Sequence, residues 1–181
     1  MSMFKTMAAS AILIAAAATA VEAKVSVIQS ASRALAPGSS FAWAPSVGVA
    51  YGRTDPALTN EIAADRLQMA TASALVSKGY RQVGSPREAD LLVAYKVVLL
   101  PGREARLSGS GGCRFGFCRA PSYSLDTSQY TEGTLVLDLT ERQTGRLVWR
   151  ATSEKRVSGK DASPEKLSAL LREMTKSLPP R

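Results

Sequence analysis

The residue types most suited to chemistry are concentrated in one stretch, SGSGGCRFGFCRAP at 108–121, which holds both cysteines of the chain. Cys113 and Cys118 are separated by four residues, whereas dithiol redox sites use the closer spacing C-x-x-C at a helix start. A structural zinc site needs about four ligands, and the chain has no histidine and no further cysteine. We therefore predict a disulfide between the two, as is usual in an oxidising compartment. Free thiols, and metal or redox chemistry, are the alternatives.

The same region is rich in arginine and aromatic residues. Between Pro101 and Arg119 there are four arginines and one acidic residue, a local net charge of +3. Arginine and aromatic side chains dominate binding hot spots, and a disulfide-closed turn displays them at low entropic cost. The alternative is a solvated connector whose phenylalanines fold back on the domain. We predict a candidate binding loop, within a Gly/Arg/Cys-rich loop at about 101–125, formed by Arg103, Arg106, Arg114, Phe115, Phe117 and Arg119.

Most enzyme mechanisms find no support in the sequence. The absence of histidine excludes Ser-His-Asp and Cys-His catalysis. The SGSGG run lacks the Gly-Lys-Ser/Thr ending of a phosphate loop, and no GxSxG nucleophile elbow occurs. Glu132, Asp138 and Glu141 are the candidate acids for glycoside cleavage, but such charges on a strand and in a turn are more typical of solvated side chains. We predict no catalytic residue, no metal site and no cofactor.

The first 23 residues have the pattern of a secretory signal peptide. Lys5 precedes an apolar stretch from Ala8 to Ala20, and the small residues Val21 and Ala23 follow at cleavage spacing. The apolar stretch is shorter than the roughly 20 residues that a membrane span needs. We expect cleavage after Ala23, with Ala20 as the alternative site, and a periplasmic or secreted chain. Because no cysteine lies near the cleavage site, we expect no attached lipid. The competing interpretation is that the N-terminal apolar segment is not cleaved and remains as a membrane anchor.

The remaining residues, 24–181, suit one domain with a substantial core. The net charge of the chain is +8, which favours anionic neighbours. For an exported chain, these would be anionic lipid, lipopolysaccharide or an acidic wall polymer, and not nucleic acid. A basic surface that serves only solubility is the alternative.

The hydrophobic pattern predicts an α+β fold. Strand patterns occur at 24–29 and 91–100, and a hairpin pattern at 130–157 turns near Gly145. The stretch 41–51 is extended but interrupted by Pro45. Helical periodicity with terminal signals, Pro56 and Gly79 for the first helix and Ser163 for the second, predicts helices at about 57–78 and 163–177. We expect an antiparallel or mixed sheet covered on one face by these two helices.

Several stretches together resemble the bacterial cell-envelope family called domain of unknown function 4136. They are Phe41–Trp43, SKGY at 77–80, EADLLVAY at 88–95, YTEGTLVLDLTERQTGRLVWRATS at 130–153 and the terminal LPP. The resemblance implies a small exported α+β sandwich, often a lipoprotein, without an established activity. This chain departs from that pattern because it lacks a lipobox cysteine, and the resemblance does not explain the cysteine-containing stretch.

Together these observations predict a non-enzymatic exported envelope domain that acts by binding an anionic envelope component or an envelope protein. One alternative is an accessory subunit of an envelope transport or assembly complex. The other, from a different functional class, is a histidine-free carboxylate hydrolase acting on wall material.

Overall fold

The computed structural model describes residues 23–30, 35–36, 38–45, 50–51, 56–114 and 116–179. The predicted signal peptide up to residue 22 lies outside the described residues. In chain order the elements are β1 (Lys24–Gln29), β2 (Ser40–Trp43), β3 (Ala50–Tyr51), α1 (Pro56–Thr59), α2 (Glu61–Ser77), β4 (Arg81–Gln82), β5 (Leu91–Arg114), β6 (Phe117–Glu141), β7 (Leu147–Val157), a 3₁₀ turn (Gly159–Ala162) and α3 (Pro164–Met174).

Within the described part of the chain, seven strands form one mixed sheet with the order β1-β7-β6-β5-β2-β4, and β3 pairs separately with β5. The pairs β1–β7, β7–β6 and β6–β5 are antiparallel, whereas β2 is parallel to both β4 and β5, and β3 is parallel to β5. The long β5–β6 hairpin is therefore the centre of the sheet. The mixed sheet, together with helices that lie in separate segments of the chain, agrees with the predicted α+β fold class. The agreement is at this coarse level.

The core lies on the sheet face that carries the odd-numbered residues of the central strands. Leu135, Leu137 and Leu139 alternate into it as the sequence pattern predicts, and all three are buried. Trp149 of β7 is fully buried in the same cluster. The helices contribute Leu67, Ala70, Ala74, Leu75, Leu171 and Met174 to this cluster. Burying one such leucine stabilises the fold by about 1.5–3 kcal/mol.

Both predicted helices form, but the first is divided into two and the second, predicted to reach residue 177, ends at Met174. The predicted helix at 57–78 is divided at Asn60, whose side chain accepts a hydrogen bond from the Ala63 N–H at 2.8 Å and begins α2. Gly79 follows α2 with φ +92°, a conformation that glycine adopts without strain. α3 begins after Ser163, whose side chain accepts from the Lys166 N–H. None of the helices in the described ranges is long and apolar enough for a membrane crossing.

The stretch predicted as a loop at 101–125 is instead a continuation of β5 and β6. These strands pair with each other from Leu91↔Glu141 to Arg114↔Phe117, with one register shift between Ser110 and Gly112. The neighbouring strand β7 pairs with β6 no further than Thr131. Beyond that point, residues 101–114 and 117–130 form a two-stranded extension of the sheet, called here the ribbon.

Candidate functional site

The ribbon extends well beyond the rest of the sheet. At about 3.4 Å per residue its strands are about 45 Å long. Nearly all of its described side chains are solvent-exposed on both faces. A two-stranded hairpin is only marginally stable by itself in water, so this ribbon depends on its continuity with the sheet and on its own cross-strand contacts.

One face of the ribbon is apolar and continues the core face of the sheet. By strand alternation this face carries Leu107, Tyr123 and Leu125, of which Leu107 and Leu125 lie directly opposite each other. The Tyr123 ring lies against Gly109, where an added Cβ would be 3.0 Å from it. These three side chains remain 67–69% exposed. The apolar face therefore has no core to pack against in the described structure.

The opposite face of the ribbon is polar. Ser108 and Ser124 form a cross-strand hydroxyl pair at 2.7 Å, and Ser110 and Ser122 form another at 2.9 Å. The even-numbered positions closer to the sheet carry charged residues. The ribbon is thus amphipathic, although neither of its faces is buried.

A charged cluster fixes the base of the ribbon on the polar face. The Arg156 guanidinium of β7 lies 3.9 Å from the centroid of the Tyr130 ring and donates to Glu104 at 2.6 Å. This hydrogen bond is the main reason why the pKa of Glu104 is lowered. Arg106 lies 3.6 Å from the other oxygen of the same carboxylate. Tyr130 can lie across the ribbon because its register partner is Gly102.

The tip of the ribbon is closed by the predicted disulfide. Cys113 and Cys118 are bonded and are register partners at the end of the hairpin. Gly116 in the turn has φ +80°, which favours glycine. Phe117 is 84% exposed beside the disulfide. A cross-link at this position limits fraying where the ribbon is farthest from the core.

Of the six predicted binding residues, the five whose backbone the structure describes fall into two groups. Arg103 and Arg106 are exposed near the base and project from opposite faces. Arg114, Phe117 and Arg119 lie in the strands at the tip. Phe115 and the side chains of Arg114 and Arg119 lie outside the described part. Sequence reasoning missed Leu107, Tyr123, Leu125, Tyr130 and Arg156, although the alternation of apolar and polar residues at 122–126 indicates a strand.

The three acidic residues considered for hydrolysis are spread along β6, which ends at Glu141. Glu132 and Asp138 are on the same face of β6 but six residues apart, which is about 20 Å and far beyond the separation used by glycosidases. Asp138 is held by Arg150 through two hydrogen bonds of 2.6 and 2.7 Å. Glu141 lies at the turn, where its carboxylate accepts from the Thr144 hydroxyl. Among the described residues no cluster of acidic or cysteine side chains has the arrangement of a metal site.

The family profile of the domain of unknown function DUF4136 matches residues 26–180. The chain belongs to the DUF4136 family. The resemblance seen in the sequence is thereby confirmed. No curated protein matches the chain in sequence.

The solved structures with similarity to this chain include two bacterial proteins. A variant of PelC from Paraburkholderia phytofirmans, described as a dodecamer, has a TM-score of 0.51 and 15% identity over 88% of this chain and 100% of that chain. A DUF4136 family protein from Bacteroides thetaiotaomicron VPI-5482 has a TM-score of 0.48 and 14% identity, covering 86% of this chain and 95% of that chain. At such identities, the likeness to PelC shows a shared fold and nothing about activity.

Proposed function

We propose that this DUF4136 protein is a non-enzymatic, exported domain that binds the anionic lipid surface of the cell envelope through its ribbon. In this proposal the signal peptide directs export, and the two longer helices cover one face of the sheet. That arrangement leaves the ribbon free to contact a partner.

The observation that carries this proposal is the exposed apolar face of the ribbon. Leu107, Tyr123 and Leu125 form a contiguous apolar strip that remains about two-thirds exposed. Burying apolar surface in the boundary between headgroups and acyl chains is favourable at about 25 cal/mol per Å². The polar serine face would remain toward water, as in other amphipathic elements that lie at a membrane interface.

The charge of the ribbon supports an anionic partner. Arg103 is on the apolar face, where its guanidinium would meet phosphates at the depth of the lipid headgroups. The tip adds the positive charges of Arg114 and Arg119, and the whole chain has a net charge of +8. Arginine suits this role because its planar group binds phosphate through two hydrogen bonds.

Vesicle binding tests this function. We expect the chain to bind vesicles that contain phosphatidylglycerol, to bind pure phosphatidylcholine weakly, and to lose affinity as salt increases. Leu107→Ser combined with Leu125→Ser should weaken binding about tenfold or more, because two exposed leucines no longer insert. Ile28→Ser is the matched control, since Ile28 is also 67% exposed but lies on the edge strand β1. Equal binding to both vesicle types, or binding unchanged by the double substitution, would contradict the proposal.

The second candidate function is that of an accessory subunit in an envelope complex. The exposed apolar strip favours it too, since such surfaces also mark protein interfaces. The PelC variant of similar fold is described as a dodecamer. Co-purification of one protein at constant stoichiometry, lost in the Leu107/Leu125 variant, would favour this function over lipid binding.

A further inference from the structure

A cavity of about 90 Å³ lies between the sheet and the helices, away from the ribbon surface. Its walls are mainly apolar and come from α1, α2, α3 and the strands β5, β6 and β7. Leu58, Leu67, Leu167 and Leu170 line it from the helices, and Leu99 and Leu135 line it from the sheet. For comparison, an engineered apolar cavity of about 150 Å³ binds benzene, so this cavity is large enough for roughly four carbon atoms.

One wall of this cavity presents a buried hydroxyl group that lacks a partner. Ser153 of β7 is 2% exposed, and within the described residues its Oγ has no hydrogen-bond partner. Leaving such a group unsatisfied costs about 1–3 kcal/mol. A cavity wall that contacted only apolar groups would not need a hydroxyl at this position. The Ser153 hydroxyl is therefore available to form a hydrogen bond with a polar atom of a molecule in the cavity.

Two lysines and one carboxylate lie beside the same cavity. Lys155 and Asp161 line it, and Lys155 Nζ is 2.7 Å from the Asp161 carboxylate. Lys166 Nζ approaches the same oxygen at 3.3 Å and is about half exposed. The group carries one positive charge in excess, which favours an anion. Ser153 and Lys155 are two residues apart on the same face of β7, which places them about 7 Å apart.

We propose that this cavity binds a short-chain carboxylate, a small amphiphile with an alkyl part of about four or five carbons. The alkyl part occupies the apolar space between the helix leucines and the sheet. A carboxylate oxygen accepts the hydrogen bond from Ser153 Oγ, and the negative charge lies near Lys155 and Lys166. The cavity is separate from the ribbon, so a negative result for ligand binding in the cavity would leave the proposed function of the ribbon unaffected.

Titration of the purified chain with hexanoate, observed by NMR, tests this site. Hexylamine, which has the same number of carbon atoms but a positive charge, is the matched probe. We expect hexanoate to shift methyl signals of Leu67, Leu135 and Leu170, and to bind more tightly than hexylamine. Ser153→Ala should weaken binding about fivefold, by the loss of one hydrogen bond, while the melting temperature stays equal or rises because an unsatisfied hydroxyl is removed.

Two surface variants keep the test independent of core substitutions. Lys166→Gln removes a charge near the cavity and should weaken hexanoate binding. Lys176→Gln, in the turn after α3, removes an exposed charge paired with Glu173 and should leave binding unchanged. The proposal is overturned if no shifts map to the cavity, if hexylamine binds as well as hexanoate, or if Ser153→Ala binds hexanoate normally. In the last case the Ser153 hydroxyl forms its hydrogen bond only with a buried water molecule.

Discussion

Asp161 is the residue whose ionisation depends most clearly on the fold. It lies in the 3₁₀ turn before α3 and accepts hydrogen bonds from Lys155 Nζ at 2.7 Å and from the Ser158 N–H at 2.9 Å. Burial alone would raise the pKa of Asp161, but hydrogen bonds from Lys155 and Ser158 outweigh burial and hold the pKa well below its usual range. A carboxyl group with a lowered folded-state pKa stabilises the fold above its unfolded pKa of about 3.9.

We expect Asp161→Asn to reduce the free energy of unfolding by about 2 kcal/mol at neutral pH, because a charged acceptor is lost. The difference from the wild type should shrink as the pH falls below about 4, because Asp161 becomes protonated first in the unfolded chain and its ionised form in the fold then stabilises less. Urea unfolding at several pH values measures this. Asp126→Asn, at an exposed ribbon position, is the control for the change in net charge. A difference that persists unchanged at about pH 3 would show that ionisation of Asp161 is not the cause.

The disulfide is expected to act locally, because it closes the tip of the ribbon far from the core. Replacing both Cys113 and Cys118 by Ser should destabilise ribbon closure by about 2 kcal/mol on the chain-entropy estimate. Amide hydrogen exchange should accelerate in the ribbon at residues 108–124, whereas core amides such as that of Leu137 should keep their protection. A drop in protection of equal size in both regions would mean that the tip cross-link supports the whole fold.

At the level of elements, the base of the ribbon is held by a close approach that only glycine permits. A Cβ atom at Gly102 would overlap the Tyr130 ring, which in turn supports Arg156. On the polar face of the ribbon base, the Gly102–Tyr130 cross-strand contact and the Tyr130–Arg156 cation–π contact add to the backbone pairing of β5 with β6.

We expect Gly102→Val to displace the Tyr130 ring and separate it from Arg156. The ring-current shifts of the Arg156 side-chain protons, measured by NMR, should then be lost. Gly112→Val is the matched control, because Gly112 is in the same strand and an added Cβ there meets nothing within 4 Å. Retention of the Arg156 shifts in Gly102→Val would contradict this account of the ribbon base.

The helices and strands of the core could be predicted from the sequence. Their hydrophobic periodicity and the residue types at their ends indicate the same elements. The alternation of Leu135, Leu137 and Leu139 and the glycine at 145 predict the β6–β7 hairpin, and Gly145 indeed has φ +67°. The burial of Val148 together with Trp149 does not follow from alternation. It arises with a register shift between Leu139 and Thr140 that only the paired strands reveal.

The ribbon was not predictable by the same reasoning, because its glycines and prolines are residue types that usually mark turns. In the structure, Gly102 and Gly109 lie against tyrosine rings. Pro101 and Pro121 lie in strands with an open edge, where proline is tolerated. The disulfide was predictable from cysteine spacing, whereas the unpartnered hydroxyl of Ser153 depends on packing between elements distant in sequence.

The whole molecule combines a packed α+β core with an amphipathic ribbon that its own core does not cover. The core stabilises the fold, and the ribbon carries most of the exposed large apolar surface on β5 and β6. The central strands of the core and the ribbon belong to one continuous hairpin, so the proposed binding surface is attached to the centre of the sheet and not to a flexible linker. We propose that the ribbon serves recognition and that the core serves structural stability.

Photo-cross-linking in intact cells, with a photoreactive residue at Leu125, tests this assignment most directly. The same substitution at the exposed Ile28 of β1 is the control. We predict adducts to anionic envelope lipid from position 125, and none or far fewer from position 28. A folded, exported protein that gives no lipid adduct at position 125, or gives only a single protein adduct there, would contradict lipid binding by the ribbon.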